Sequence, residues 1–155
     1  MKPLEFRANV WASLMLDLQR RGKGHRESGA FLLGQAGPSV KTVIDWLAYD
    51  ELDRGSLNYD YVRLSTEAFS RLWSICADRG MEVVGDVHTH PLGPAQSLSD
   101  RANPMVSISG HMALIVPRFA MGNVMPPDVS VNVYLGSHKW VSHFGLQAAA
   151  LIKLL

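Results

Sequence analysis

Hydrophobic residues near the start of the chain recur at the spacing of an amphipathic helix. Val10, Trp11, Leu14, Met15 and Leu18 follow one another at positions i, i+1, i+4, i+5 and i+8, which lie on one helical face. Basic residues and glycines then cluster at residues 20–24. Such a cluster is typical of a helix C-terminus, so the pattern predicts a first helix that ends there.

Two short apolar segments follow and predict a β-hairpin. Ala30–Gly34 is a continuous apolar run that suits a buried strand, and residues 40–49 carry the apolar positions of a second strand. Gly37, Pro38 and Ser39 between them are turn residues. The polar stretch Asp50–Leu64 then predicts a long connection.

A second helix and a third strand are predicted after this connection. Ser65 has the position of an N-cap, an acidic residue lies in the first turn, and Gly80 marks the end of the helix. Residues 81–90 then form an apolar strand that stops at Pro91. Helix and strand together continue the alternation of the two element types.

The remaining residues predict further strands with few helices. A short helix is expected over 97–106, a strand over 112–117, a loop over Arg118–Asp128, and a closing hairpin from 129–135 and 139–144. The tail 145–155 has a helical composition, and we expect it to cover the sheet rather than bind a partner. The order of elements predicts an α/β fold in which helices flank a mixed sheet, as one domain over residues 1–155.

Composition and charge exclude several classes of function. Basic and acidic residues number 15 and 14, a net charge of +1, so the chain lacks the basic surface that nucleic-acid binding requires. No apolar stretch approaches the roughly 20 residues of a membrane span. The single cysteine, Cys76, excludes an internal disulfide and any multi-thiolate metal site, and it fits a cytoplasmic location.

The candidate chemistry begins at the end of the third strand. His88 and His90 are two residues apart, so their side chains leave the same face of the strand. Paired imidazoles suit Zn²⁺, which needs a third protein ligand and an open position when it is catalytic. Asp100 is the best candidate for that ligand, because a helix that begins near it must pack back towards the strand end.

Three further residues are candidates for supporting roles. Glu27, if the fold brings it to the histidines, would be the general base that takes a proton from the attacking water. Ser97, three residues before Asp100 on the same helical face, would stabilise the oxyanion or cap the helix. Asp86 lies on the side of the histidines and would either orient an imidazole or be a solvated acid. Each residue taken alone has an ordinary structural explanation.

Together these residues resemble the pattern of the JAMM (JAB/MPN/Mov34) zinc metalloprotease family, in particular its stand-alone prokaryotic members. The pattern is a distant glutamate, then His-x-His-Pro, then Ser-x-x-Asp, found here in 27–34, 85–91 and 97–101. The resemblance implies a JAB/MPN fold of the cytidine-deaminase-like kind, Zn²⁺ on His88, His90 and Asp100, and catalysis by Glu27 and Ser97. The loop from His90 to Ser97 is one residue shorter than the family spacing, and Val87 stands where the family often has an aromatic residue.

The resemblance also implies a substrate class and partners. The expected activity is cleavage after the C-terminal glycine of a ubiquitin-like protein, functionally linked to E1- and E2-like enzymes. An extended tail would dock beside a strand edge, and the loops Asp50–Leu64 and Arg118–Asp128 are candidate contacts. Three alternatives stay open: a non-catalytic scaffold of the same fold, a DNA-linked relative, and a hydrolase of small molecules or short peptides. The other histidines, at 25, 111, 138 and 143, are expected to be surface or core residues.

Overall fold

The computed structural model describes residues 1–155 and has one eight-stranded mixed sheet with helices on both faces. The strands are β1 (Leu4–Phe6), β2 (Gly29–Ala36), β3 (Lys41–Ala48), β4 (Glu82–Thr89), β5 (Met112–Val116), β6 (Ser130–Gly136), β7 (Lys139–His143) and β8 (Ile152–Leu154). The helices are α1 (Ala8–Gly22), α2 (Tyr49–Leu52), α3 (Thr66–Arg79), α4 (Leu98–Ala102) and α5 (Gly145–Ala149). The predicted α/β fold class is confirmed.

The strand order is β7-β6-β5-β4-β2-β3-β1-β8. β4 pairs with β5 in parallel, and β1 is parallel to both β3 and β8, whereas the remaining neighbours are antiparallel. β4 therefore lies in the middle of the sheet, with its C-terminal end beside the N-terminal end of β2. This arrangement brings together two segments that are about 60 residues apart in the sequence.

The sheet separates two hydrophobic cores. Alternation along β2 sends Leu32 into the core under α1, and Phe31 and Leu33 into the core under α3. The helix α1 buries the apolar face that its sequence predicts, and α3 buries Leu72 on the opposite side of the sheet. Burial on both faces fixes the register of the central strands, because a slip by one residue would exchange the two faces.

The predicted helix boundaries agree with local capping. The Ser65 hydroxyl accepts a hydrogen bond from the backbone N–H of Ala68, as an N-cap does. Gly80 ends α3 with φ of 62°, a left-handed conformation that glycine adopts without steric cost. No helix in the structure has the length and apolar character that would let it cross a membrane.

Three local predictions were wrong or incomplete. The tail is helical only in α5, and β8 after it is an edge strand that pairs with the unpredicted β1. The connection 50–64 contains the end of α2 and a small hairpin with a bridge between Leu57 and Val62. The short helix is α4, five residues long, so it ends before the predicted boundary. These elements are too short for periodicity to define them.

Candidate metal centre

The two histidines of the motif meet at the C-terminal end of β4. Their Nε2 atoms are 3.0 Å apart, and their ring centroids are 4.9 Å apart. The backbone around them is fixed by the sheet, since the N–H of His90 donates to Val116 O and the N–H of Thr89 to Ser28 O. The ring positions therefore follow from the pairing of β4 with its neighbours.

Asp100 reaches this pair from α4. Its Oδ1 is 3.3 Å from His88 Nε2, and its Oδ2 is 3.0 Å from His90 Nε2. One carboxylate thus faces both ring nitrogens. Sequence spacing suggested this proximity, and the fold provides it.

Glu27 enters the same site from the loop before β2. The antiparallel pairing of Gly29 with His88 brings Glu27 to the end of β4, and the N–H of Glu27 donates to Asn58 O at 2.7 Å. The side chain is buried, with 3% of the residue exposed. One carboxylate oxygen of Glu27 and one ring nitrogen each of His88 and His90 lie within 4.8 Å of one another.

The carboxyl groups of the site have perturbed pKa values. Burial raises the pKa of Glu27 to about 8, and the charge of Asp100 adds to this effect while His88 opposes it. Burial also tends to raise the pKa of Asp100, but hydrogen bonds from His88 and His90 outweigh it and hold that pKa well below its usual range. A carboxyl with a pKa near neutrality suits proton transfer in both directions.

The pKa of His88 responds to the same charges. Burial alone would lower the pKa of His88, but the hydrogen bond and charge of Asp100, with Glu27 and Asp86, raise it overall. A cation between these groups would be stabilised by the same negative charges. The site therefore has a potential that favours a positive ion.

The donor set fits a divalent metal ion. Ligands that lie 2.0–2.1 Å from a tetrahedral Zn²⁺ are about 3.4 Å from one another. The contacts among His88, His90 and Asp100 are 3.0–3.3 Å, close to that value. Glu27, His88 and His90 also form a group that could hold a metal. Imidazole nitrogens and carboxylate oxygens together form a donor set that a divalent metal ion can occupy.

Ser97 forms a capping box with Asp100. The Ser97 hydroxyl accepts from the N–H of Asp100 at 3.0 Å, and the N–H of Ser97 donates to Asp100 Oδ2 at 2.8 Å. The predicted capping role is thus present. The Ser97 hydroxyl only accepts in this capping box, so its proton is not used by these bonds. The serine that lines the cleft beside the histidines is Ser99.

Asp86 contacts a histidine that sequence reasoning did not select. Its Oδ2 lies 2.6 Å from Nε2 of His111, and only 2% of Asp86 is exposed, so the alternative of a solvated acid is wrong. The imidazole in contact with Asp86 is therefore that of His111, a core residue. The one sequence signal for this pair was the position of His111 directly before β5, a neighbour of β4 in the sheet.

A cleft lies beside the metal ligands. Tyr61 and Val62 of the small hairpin line it, together with Pro104, Met105 and Trp140. Asp86, His88 and Ala113 of the sheet also line it. No local pattern in the sequence indicates that Trp140, on β7, is part of this cleft.

Comparisons with known proteins agree with this geometry. The family model described as prokaryotic homologs of the JAB domain matches residues 8–132, which include every candidate site residue. A protein from Desulfitobacterium hafniense, solved in solution, is 16% identical, with a TM-score of 0.66 over 98% of this chain and 92% of that one. A protein from Salinibacter ruber is 17% identical, with a TM-score of 0.62 over 93% and 88% of the two chains. At these identities the two structures support the fold alone.

Proposed function

The chain belongs to the family of prokaryotic homologs of the JAB domain, and on this premise we propose that it is a zinc-dependent peptidase. His88, His90 and Asp100 hold the metal, and Glu27 is the general base. One observation carries the proposal: a carboxylate of low pKa faces two imidazoles at 3.0–3.3 Å, beside a buried carboxyl of raised pKa. A scaffold without catalytic function has no need for this arrangement.

The residues divide the work of peptide hydrolysis among them. When bound, Zn²⁺ supplies Lewis-acid polarisation of the scissile carbonyl and makes a water molecule easier to deprotonate. Glu27 accepts one proton of the attacking water while the oxygen of that water bonds to the carbonyl carbon. Glu27 then returns that proton to the amide nitrogen as the C–N bond breaks, so the products are a carboxylic acid and an amine. The Ser97 hydroxyl, whose proton is free, is the candidate donor to the oxyanion.

The substrate that we propose is a ubiquitin-like protein or its conjugate, cleaved after the C-terminal glycine. Family likeness supports this substrate class, and the cleft lined by Tyr61, Val62 and Trp140 adjoins His88 and Asp100. E1- and E2-like enzymes are the expected functional partners. The proposed location is the cytoplasm, in keeping with the one cysteine, which is buried and free.

Cleavage of C-terminal fusions tests the proposal. The zinc-loaded protein is incubated with candidate ubiquitin-like proteins that carry a C-terminal extension, and the products are identified by mass spectrometry. We expect one cut, directly after the terminal glycine, that a chelator abolishes and added Zn²⁺ restores. Glu27→Gln should be inactive, whereas Glu82→Gln, which changes an exposed glutamate at the far end of β4, should retain full activity.

Two results would contradict the proposal. Full activity of Glu27→Gln would show that Glu27 is not the general base. Retention of activity after complete removal of metal would exclude a metallopeptidase. The absence of both zinc and turnover in the native protein would favour the non-catalytic scaffold.

A further inference from the structure

The helix that carries Asp100 has no hydrophobic anchor. α4 spans five residues, and none of its side chains is buried. A helix this short is unstable by itself in water, because a single turn does not compensate for the cost of its nucleation. The position of Asp100 must therefore depend on contacts at the ends of α4 and on the segments that flank it.

Local contacts fix the shape of α4 but not its place on the sheet. The capping box of Ser97 and Asp100 closes the N-terminal end. At the other end, the side-chain amide of Asn103 donates to Ser99 O at 3.0 Å. All these partners belong to the same short segment, so they would move together with it.

Two hydrogen bonds tie this segment to the sheet, and both come from the hairpin of β6 and β7. Trp140 Nε1 donates to Arg101 O at 3.1 Å, and Ser130 Oγ donates to Pro94 O at 2.6 Å. The carbonyl of Arg101 is at the C-terminal end of α4, where carbonyls lack helical partners. The two bonds thus hold the segment on either side of Asp100.

The donors themselves are held in place by their neighbours on the hairpin. The ring of Trp140 packs on Tyr134 with centroids 4.9 Å apart and an interplanar angle of 60°. Ser130 Oγ accepts from Asn132 Nδ2 at 2.9 Å, and Asn132 Nδ2 also donates to Ala113 O. The β6–β7 hairpin therefore presents two donors to a helix that buries no side chain of its own, while Val106, four residues after α4, packs into the core under α3.

From these contacts we propose that Trp140 is a positioning residue for the metal centre: its indole N–H holds α4 so that the carboxylate of Asp100 faces His88 and His90. Ser130 has the same role at the start of the segment. The inference rests on the proposed metal site and extends it to a strand that contributes no ligand. Loss of a group that orients a metal ligand typically weakens metal binding about 10- to 100-fold.

The test compares two tryptophan variants. Trp140→Phe keeps an aromatic ring on Tyr134 and removes the indole donor. Trp46→Phe removes an equivalent donor, since Trp46 Nε1 donates to Asp17 Oδ2 at 2.9 Å on the α1 side of the protein. For each variant we would measure the zinc dissociation constant by chelator competition, and amide hydrogen exchange in the metal-free protein.

The expected result is specific to Trp140. Its variant should bind zinc about tenfold more weakly and show faster exchange at the amides of Arg101 and Asn103, which report on α4. Trp46→Phe should leave both measurements unchanged. Ser130→Ala should reproduce the effect of Trp140→Phe to a smaller extent. Two variants with the same effect would show that it does not come from a folding defect in one of them.

Equal zinc affinity in Trp140→Phe and the native protein would overturn the positioning role. Unchanged exchange at Arg101 and Asn103 would overturn it as well. The exchange measurement uses the metal-free protein, so it decides whether the hairpin holds α4 even if zinc binding fails. A native protein that binds no zinc contradicts the proposed function, and the two failures are thereby distinguishable.

Discussion

The metal centre joins two regions that are built in different ways. His88 lies on β4 in the interior of the sheet, and Glu27 lies two residues before the paired strand β2. Backbone hydrogen bonds and two hydrophobic cores fix these strands. Asp100 lies on a five-residue helix that buries no side chain and is held by hydrogen bonds at its ends. Packing fixes the strand half of the site, which is Glu27, His88 and His90. A few polar contacts fix the helix half, which is Asp100.

This difference implies a difference in robustness. A position in a close-packed interior is fixed by many contacts at once, so the loss of one of them is felt mainly in stability. A helix held by a small number of hydrogen bonds can move when one of them is removed. We therefore expect remote substitutions near α4 to change metal binding, and comparable substitutions under the sheet to change stability.

The largest effect should come from the strand half itself. His90→Ala removes a ligand and should weaken zinc binding on the order of a thousandfold, because each ligand contributes several kcal/mol to the binding free energy. Chelator competition measures this loss. His25→Ala is the matched control, since His25 is exposed, and it should bind zinc as the native protein does. Tight zinc binding by His90→Ala would place the metal elsewhere.

A smaller effect is expected in the helix half. Ser97→Ala removes the hydroxyl that caps α4 and should weaken zinc binding about fivefold, because a lost cap costs about 1 kcal/mol. Ser97→Thr keeps a capping hydroxyl and should restore most of the affinity. Zinc titration of the three proteins measures the series. An unchanged affinity in Ser97→Ala would mean that the cap does not contribute to the placement of Asp100.

A separate effect concerns stability and pH. Since burial raises the pKa of Glu27 from 4.5 to about 8, the folded protein holds a proton that the unfolded chain releases between these values. Stability of the metal-free protein therefore falls as pH rises through this window, and below pH 4.5 the pH dependence due to Glu27 disappears. Glu27→Gln removes the cost of ionising a buried carboxyl, so its Tm should exceed the native value by more at pH 8 than at pH 4.

Calorimetry of the two metal-free proteins across this pH range tests the sign. The difference in Tm should grow from near zero at pH 4 to its full value at pH 8. A difference that shrinks as pH rises would mean that the folded state favours the ionised carboxylate of Glu27 even without metal.

The sequence was most informative where patterns are long. The apolar face of α1, the strand before Pro91 and the His-x-His pair all follow from periodicities that a single strand or helix imposes. Family resemblance supplied Glu27, which no local spacing connects to the histidines. Its position follows from the pairing of β2 with β4, a contact between distant segments.

Other features depended on contacts that the sequence does not encode locally. β1 and β8 are three residues each and exist because they pair with each other at the sheet edge. The contact of Asp86 with His111 joins a residue of β4 to one that directly precedes the parallel strand β5, 25 positions along the chain. Trp140 reaches α4 across 39 residues, and nothing around it in the sequence distinguishes it from an ordinary hairpin residue.

In the proposed assignment Asp100, and not Glu27, completes the metal site with the two histidines, and metal analysis of three purified proteins tests this most directly. Both carboxylates lie near His88, so substitution of each in turn distinguishes which of them is the ligand. We predict one zinc per chain in the native protein and in Glu27→Gln, and none in Asp100→Ala. Zinc that is retained in Asp100→Ala and lost in Glu27→Gln would contradict this assignment.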